Sequence, residues 1–188
     1  MDDICKETGV YLRNSLQGHF FDQSLARAIT NVLEKEQIKS IYDLGCGHGE
    51  YTRYLKYNRF DCSGFDGNPY TKNITGGLCD VLNLSEKIMM PSVDCVISLE
   101  VGEHIPKEFE SIFIDNLCNC SSKLLILSWA VEGQGGEGHV NCRNNDYIRG
   151  IFEGKNYLSL PEYEALLRQS STLSWFKNTI MVFKKSQD

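Results

Sequence analysis

The stretch Ile41-Tyr-Asp-Leu-Gly-Cys-Gly-His-Gly-Glu50 most narrows what this 188-residue chain can fold into. An apolar run (Ile38, Ile41, Leu44) meets a glycine-dense turn, and the helical pattern Tyr51, Tyr54, Leu55 follows. Glycine costs little where φ must be positive or where a ligand approaches the backbone closely. Gly45, Gly47 and Gly49, set between a strand and a helix, therefore describe a loop wrapped around a bound molecule. The spacing is G-x-G-x-G, with Asp43 two residues ahead of the first glycine. A dinucleotide fingerprint requires its third glycine at position 50, where this chain carries Glu.

The segments that follow extend the pattern. Phe60 to Asp66 is a short apolar strand that ends in an acid about 20 residues past the loop, where open α/β folds place a ribose-binding carboxylate. Gly77-Leu-Cys-Asp80-Val carries a second acid, and Val93 to Val101 is a buried strand rich in β-branched residues. The loop resembles motif I of the class I S-adenosylmethionine-dependent methyltransferases, and the resemblance spans roughly residues 25 to 186. It implies that Asp43, Gly45, Cys46 and Gly47 cradle the cofactor and that Leu99 lies against it. It further implies that Asp66 holds the ribose hydroxyls and Asp80 meets the adenine amine.

The chain length suits one domain over residues 1–188, with 1–35 as an N-terminal cap segment and 131–157 as a substrate-side loop. At 41% hydrophobic and 23% charged, the composition is that of a globular domain. No apolar run is long enough to span a membrane, and the polar start Met1-Asp-Asp-Ile-Cys-Lys-Glu is unlike a signal peptide. The eight cysteines include no C-x-x-C pair, and several sit inside apolar strands, so a reducing, cytoplasmic setting is expected. The net charge is −6 and the basic residues form no stripe, which favours a small-molecule acceptor over a long nucleic acid.

Periodicity gives the architecture. An amphipathic helix runs through Leu25, Ala28, Ile29, Val32 and Leu33, with Asp22 or Ser24 as its cap. Strands are expected at 40–44, 61–66, 77–81, 93–101 and 123–130. Helices are expected at 49–58, around Phe109 to Leu117 behind Pro106, and at 160–168. Thr172–Phe176 and Thr179–Lys184 read as a closing hairpin about Lys177-Asn178. The fold class is therefore α/β: a Rossmann-like, seven-stranded, mostly parallel sheet with an antiparallel last strand and helices on both faces.

A second group leaves strand 4 in Ser98-Leu-Glu100-Val-Gly-Glu103-His104-Ile-Pro106. Helical turning brings Glu100, Glu103 and His104 to one side, a mixed O/N set suited to Mg, Mn or Zn. This E-x-x-E-H segment is similar to the metal-binding segment of small-RNA terminal 2′-O-methyltransferases and of O-methyltransferases of ubiquinone biosynthesis. The resemblance implies a further His after strand 5, and His139 is the only candidate. The expected metal set is Glu100, Glu103, His104 and His139, with His104 and Glu103 as the catalytic pair. Without a metal, Glu103 would favour the start of the next helix and His104 would act as a base. His48 reads as a loop residue, His19 as surface or lid, and Trp129 as core. O-methylation from S-adenosylmethionine is the expected activity. Alternatives are metal-independent N-methylation, a silent cofactor-binding module that regulates a protein partner, and a nucleotide- or NAD-binding protein.

Overall fold

The computed structural model describes residues 4–12, 14 and 19–186. The cap segment expected over 1–35 lies partly outside the described residues. In chain order the elements are α1 (Gln23–Lys35), β1 (Ser40–Leu44), α2 (Glu50–Tyr57), β2 (Asp61–Asp66), α3 (Thr71–Ile74), β3 (Cys79–Val81) and β4 (Val93–Ser98). Then come α4 (Glu110–Cys120), β5 (Ser121–Ser128), α5 (Asn145–Glu153), β6 (Tyr157–Ser159), α6 (Pro161–Ser170), α7 (Phe176–Thr179) and β7 (Ile180–Lys185).

The strands form one seven-stranded sheet in the order β3-β2-β1-β4-β5-β7-β6. Pairings among β1 to β5 are parallel, whereas β7 runs antiparallel to both β5 and β6. Both faces of the sheet are covered. Leu124 and Ile126 of β5 pack with Leu25, Ile29, Ile97 and Val182, while the alternate residues Leu125 and Leu127 pack with Val96, Phe113, Phe152 and Phe183. This period of two with apolar residues on both sides makes β5 read as a continuous hydrophobic run. The order in which strands are added reverses between the parallel neighbours β1 and β4, so the loops leaving their carboxyl ends open a crevice at the switch point.

α1 forms because its apolar residues share one face and Asp22 caps it, accepting from Leu25 N at 3.0 Å. The other oxygen of Asp22 accepts from Ser171 Oγ at 2.7 Å, Thr172 N at 2.6 Å and Leu173 N at 3.2 Å. Burial would raise the Asp22 pKa, but these donors together outweigh it and hold the pKa below the ordinary value.

That capture corrects the expected closing hairpin. Thr172–Phe176 is not a strand: the backbone N–H groups of Thr172 and Leu173 are given to Asp22, and Phe176–Thr179 is helical. The antiparallel partner on the far side of β7 is β6, three residues that begin where the segment read as loop ends. Residues 145–153 of that segment are helix as well. Strand 4 stops at Ser98 rather than 101, because Glu100 takes a φ of 55° and turns the chain out of the sheet. All eight cysteines are free, and Cys62, Cys79 and Cys95 are buried in strands as expected. Trp129 is fully buried core, and its Nε1 donates to Asn141 O at 2.7 Å.

Candidate active site

A cleft of about 880 Å³ opens over the carboxyl ends of β1, β2 and β4. Its floor is the glycine loop. Gly45 and Gly47 take φ of 85° and 52°, and the loop hangs from β2 because Gly45 N and Cys46 N both donate to Phe65 O, at 2.7 and 3.0 Å. Gly45 also allows close approach, since a Cβ there would collide with the Val101 side chain. Asp66 ends β2 and receives the loop: Gly47 N donates to one carboxyl oxygen at 2.9 Å and Asn68 N to the other at 2.9 Å. Each oxygen keeps lone-pair capacity toward the cleft.

Of the residues assigned to cofactor binding, Asp43, Gly45, Cys46, Asp66 and Leu99 line the cleft. Gly47 shapes the loop under His19, with no room for a Cβ against that ring. Asp80 does not reach the cleft. It pairs with Lys72 at 2.8 Å, its side chain 61% exposed on the outer side of β3. The adenine role expected for it has no geometry here. The strand alternates sides, and Cys79, not Asp80, faces the glycine loop.

Asp43 is buried and accepts from Thr52 Oγ1 at 2.7 Å. Burial pushes its pKa up to about 6. A raised carboxyl pKa contributes stability that is fully present below the unfolded value near 3.8 and is lost as pH rises through about 6. Asp43→Asn, which keeps an acceptor for Thr52, therefore melts higher than wild type near neutral pH. Roughly 2–3 kcal/mol of that advantage disappears on lowering pH to the acid range, as urea titrations at several pH values will show.

Beyond β4 the chain folds back so that ligand atoms of Glu103, His104 and His139 lie within 4.8 Å of one another. Glu103 is fully buried, and neither carboxyl oxygen meets a hydrogen-bond partner. Burial, and then the nearby Glu100, push its pKa well above the ordinary carboxylate range. His104 Nδ1 lies 3.2 Å from Gly138 O, and His139 Nδ1 lies 3.2 Å from Gln134 O. With Nδ1–H donated to a carbonyl in each ring, each Nε2 is left with its lone pair available. Burial, with His139 adding to it, lowers the His104 pKa to about 4, so the ring is neutral near pH 7. Glu100 lies beside Glu103 but outside the set of three. Its carboxylate receives Gln134 Nε2 at 3.2 Å and Thr179 Oγ1 at 3.4 Å, tying the loop after β5 to the end of α7.

Several lining residues carried no sequence signal. Residues 8–11 cross the cleft, anchored where Ser85 Oγ donates to Thr8 O at 2.9 Å and Tyr11 Oη donates to Glu137 O at 2.7 Å. Gly9 presses against the His104 carbonyl with no room for a Cβ. Segments without periodicity give no such warning. His19 and His48, read as surface and loop residues, stack with ring centroids 4.2 Å apart at the mouth.

Known proteins place this geometry. A methyltransferase-domain family model matches residues 17–169. A probable chloroplastic tocopherol O-methyltransferase of Oryza sativa subsp. japonica is 28% identical over 130 residues, covering 60% of this chain and 35% of its own length. The chain thus spans about a third of that relative. Among solved structures, magnesium protoporphyrin IX methyltransferase of Synechocystis PCC 6803 with bound S-adenosylmethionine superposes with a TM-score of 0.65 at 18% identity. That match covers 87% of this chain and 79% of the other. The methyltransferase domain of bacterial CtHen1 gives 0.61 at 17% identity, covering 87% and 98%. The 1,6-didemethyltoxoflavin-N1-methyltransferase of Burkholderia thailandensis gives 0.59 at 11%, covering 88% and 79%. With the glycine loop, the Asp66 carboxylate and the sheet order in place, this chain belongs to the methyltransferase-domain family.

Proposed function

We propose that the chain methylates an oxygen of a small-molecule acceptor, with Glu103, His104 and His139 holding a divalent cation beside the transferred group. The observation that carries this reading is the Glu103 carboxyl, fully buried and without a hydrogen-bond partner, next to two imidazoles with free Nε2 atoms. A buried carboxylate with no partner is costly, and a cation would repay that cost. Two imidazoles and one carboxylate suit Mn or Zn, and Mg less well. When bound, the cation supplies Lewis-acid polarisation of an acceptor hydroxyl.

The remaining chemistry belongs to the chain. Asp66 binds the ribose diol, and the loop Gly45–Gly47 packs along the cofactor. Residues 8–11 and 133–139 close over the cleft and exclude water, so that the acceptor atom is held in line with the activated methyl group. His104 is neutral near pH 7, which leaves its Nε2 lone pair free to hold the cation. The same neutral imidazole favours a second reading, in which His104 is a base without any metal and the acceptor atom is oxygen or nitrogen. The eight free cysteines support work in a reducing compartment such as the cytoplasm. Among the described residues, no helix is long and apolar enough to cross a membrane.

The test supplies methyl-labelled S-adenosylmethionine and purified protein to fractionated cell extract, with protein, RNA, lipid and small-molecule pools separated afterwards. Label is expected in the small-molecule pool as an alkali-stable ether. Label confined to RNA or protein sinks the reading.

A further inference from the structure

We infer that the acceptor is an aromatic hydroxyl compound, neutral or cationic, that carries neither phosphate nor carboxylate; this rests on the transferase reading above and narrows it. The first ground is charge. Asp43, Glu50, Asp66, Glu100, Glu132 and Glu137 line the cleft, and no lysine or arginine among the described residues does. Asp43 and Asp66 stand at the cofactor end. At the other end, Glu100 takes hydrogen bonds from the Gln134 amide and the Thr179 hydroxyl, and Glu132 takes one from the Asn144 amide. None of these donors carries a charge to cancel the carboxylates. Sites built for phosphate or carboxylate present arginine forks, lysines or helix N-termini to the anion. Away from the Glu103–His104–His139 cluster, an anionic group on the acceptor meets like charge inside low-dielectric walls, which excludes wrong partners more effectively than it strengthens right ones.

The second ground is shape. Phe20 stands at the mouth 65% exposed, with its ring edge-on to Trp175 at 5.7 Å between centroids. Trp175 is half-buried and backed by Phe176 at 5.9 Å. All three elements of this wall are fixed. Asp22 ties the residues that follow Phe20 to the turn before Trp175, and Asn145 Nδ2 donates to Asn178 O at 2.7 Å. An exposed aromatic pair on a tethered backbone offers an apolar seat, which is how small-molecule sites orient a ring. At about 880 Å³ the cleft lies toward the upper end of single-ligand pockets, so a cofactor and a ring-sized acceptor fit together.

The experiment reads Trp175 fluorescence, because the other tryptophan, Trp129, is fully buried away from ligand. Protein saturated with S-adenosylhomocysteine is titrated with three phenols of similar size: para-ethylphenol (neutral), tyramine (cationic) and para-hydroxyphenylacetate (anionic). The neutral and cationic phenols are expected to quench at concentrations at least tenfold lower than the anion. Glu132→Lys is expected to shrink that gap at least threefold. Equal affinity for the three phenols, or preference for the anion, overturns the charge assignment. Absence of quenching by all three overturns the aromatic seat. Methyl transfer to an RNA oligonucleotide ending in a ribose diol overturns both. If S-adenosylhomocysteine itself fails to bind, the transferase reading falls first and takes the inference with it.

Discussion

Asp66→Ala is expected to weaken S-adenosylhomocysteine binding at least tenfold, and up to several hundredfold, in a calorimetric titration. The carboxylate is the one acid at the end of β2 that faces the cleft, and each charge-assisted hydrogen bond to a ribose hydroxyl is worth roughly 1.5–3 kcal/mol. The substitution also frees Gly47 N and Asn68 N, so part of the loss comes from a glycine loop that no longer holds its shape. Asp80→Ala is the matched control. Its exposed pair with Lys72 is worth about 0–1 kcal/mol, and affinity should change by less than about twofold. Equal losses in the two variants would return Asp80 to the cofactor site; unchanged affinity in Asp66→Ala would remove Asp66 from it.

The second large effect falls on Glu103. Glu103→Gln replaces a buried, unpartnered carboxyl by a neutral isostere, so the apo protein should be as stable as wild type or more so. Added Mn or Mg should raise the melting temperature of wild type and leave the variant unmoved. At a hundredfold excess over Kd the linkage is worth about 2.7 kcal/mol. Turnover of the variant should fall by about a hundredfold or more, and chelation of wild type should reproduce that loss. If the chelated wild type keeps full activity while His104→Ala is inactive, the cation reading fails and His104 stands alone as base. If Glu103→Gln and His104→Ala are both active, the segment after β4 is structural.

The parts of this molecule that sequence reveals are those governed by local rules. The strand–glycine loop–helix unit at 40–57 was readable because positive φ demands glycine and because β1 and α2 carry opposite periods. Glu103, His104 and His139 were readable as candidates because few residue types can ligate or exchange protons. The structure adds that Glu100, beside Glu103, also receives the Gln134 amide. What escaped depends on long-range contacts. Thr172 and Leu173 have the residue types of a strand, and only a carboxylate 150 residues earlier in the chain diverts their N–H groups. β6 escaped because three residues, Tyr157-Leu-Ser159, show no period until β7 lies beside them. Spacing alone does not tell which way Asp80 points, since one residue along a strand exchanges cleft for solvent, where Asp80 meets Lys72.

The sheet order also dictates when, during synthesis, the enzyme can exist. β7 is made after β5 and β6, yet it lies inside the sheet, between them. Until residues 180–185 leave the ribosome, the eight-residue edge of β5, with Leu124, Leu125, Ile126 and Leu127 in sequence, has no partner on that side. Open apolar edges of this kind template association with other chains. A ribosome stalled before residue 180 would therefore leave a sticky half-sheet rather than a smaller working domain. Closure of the sheet and arrival of Trp175 at the cleft mouth belong to the same moment.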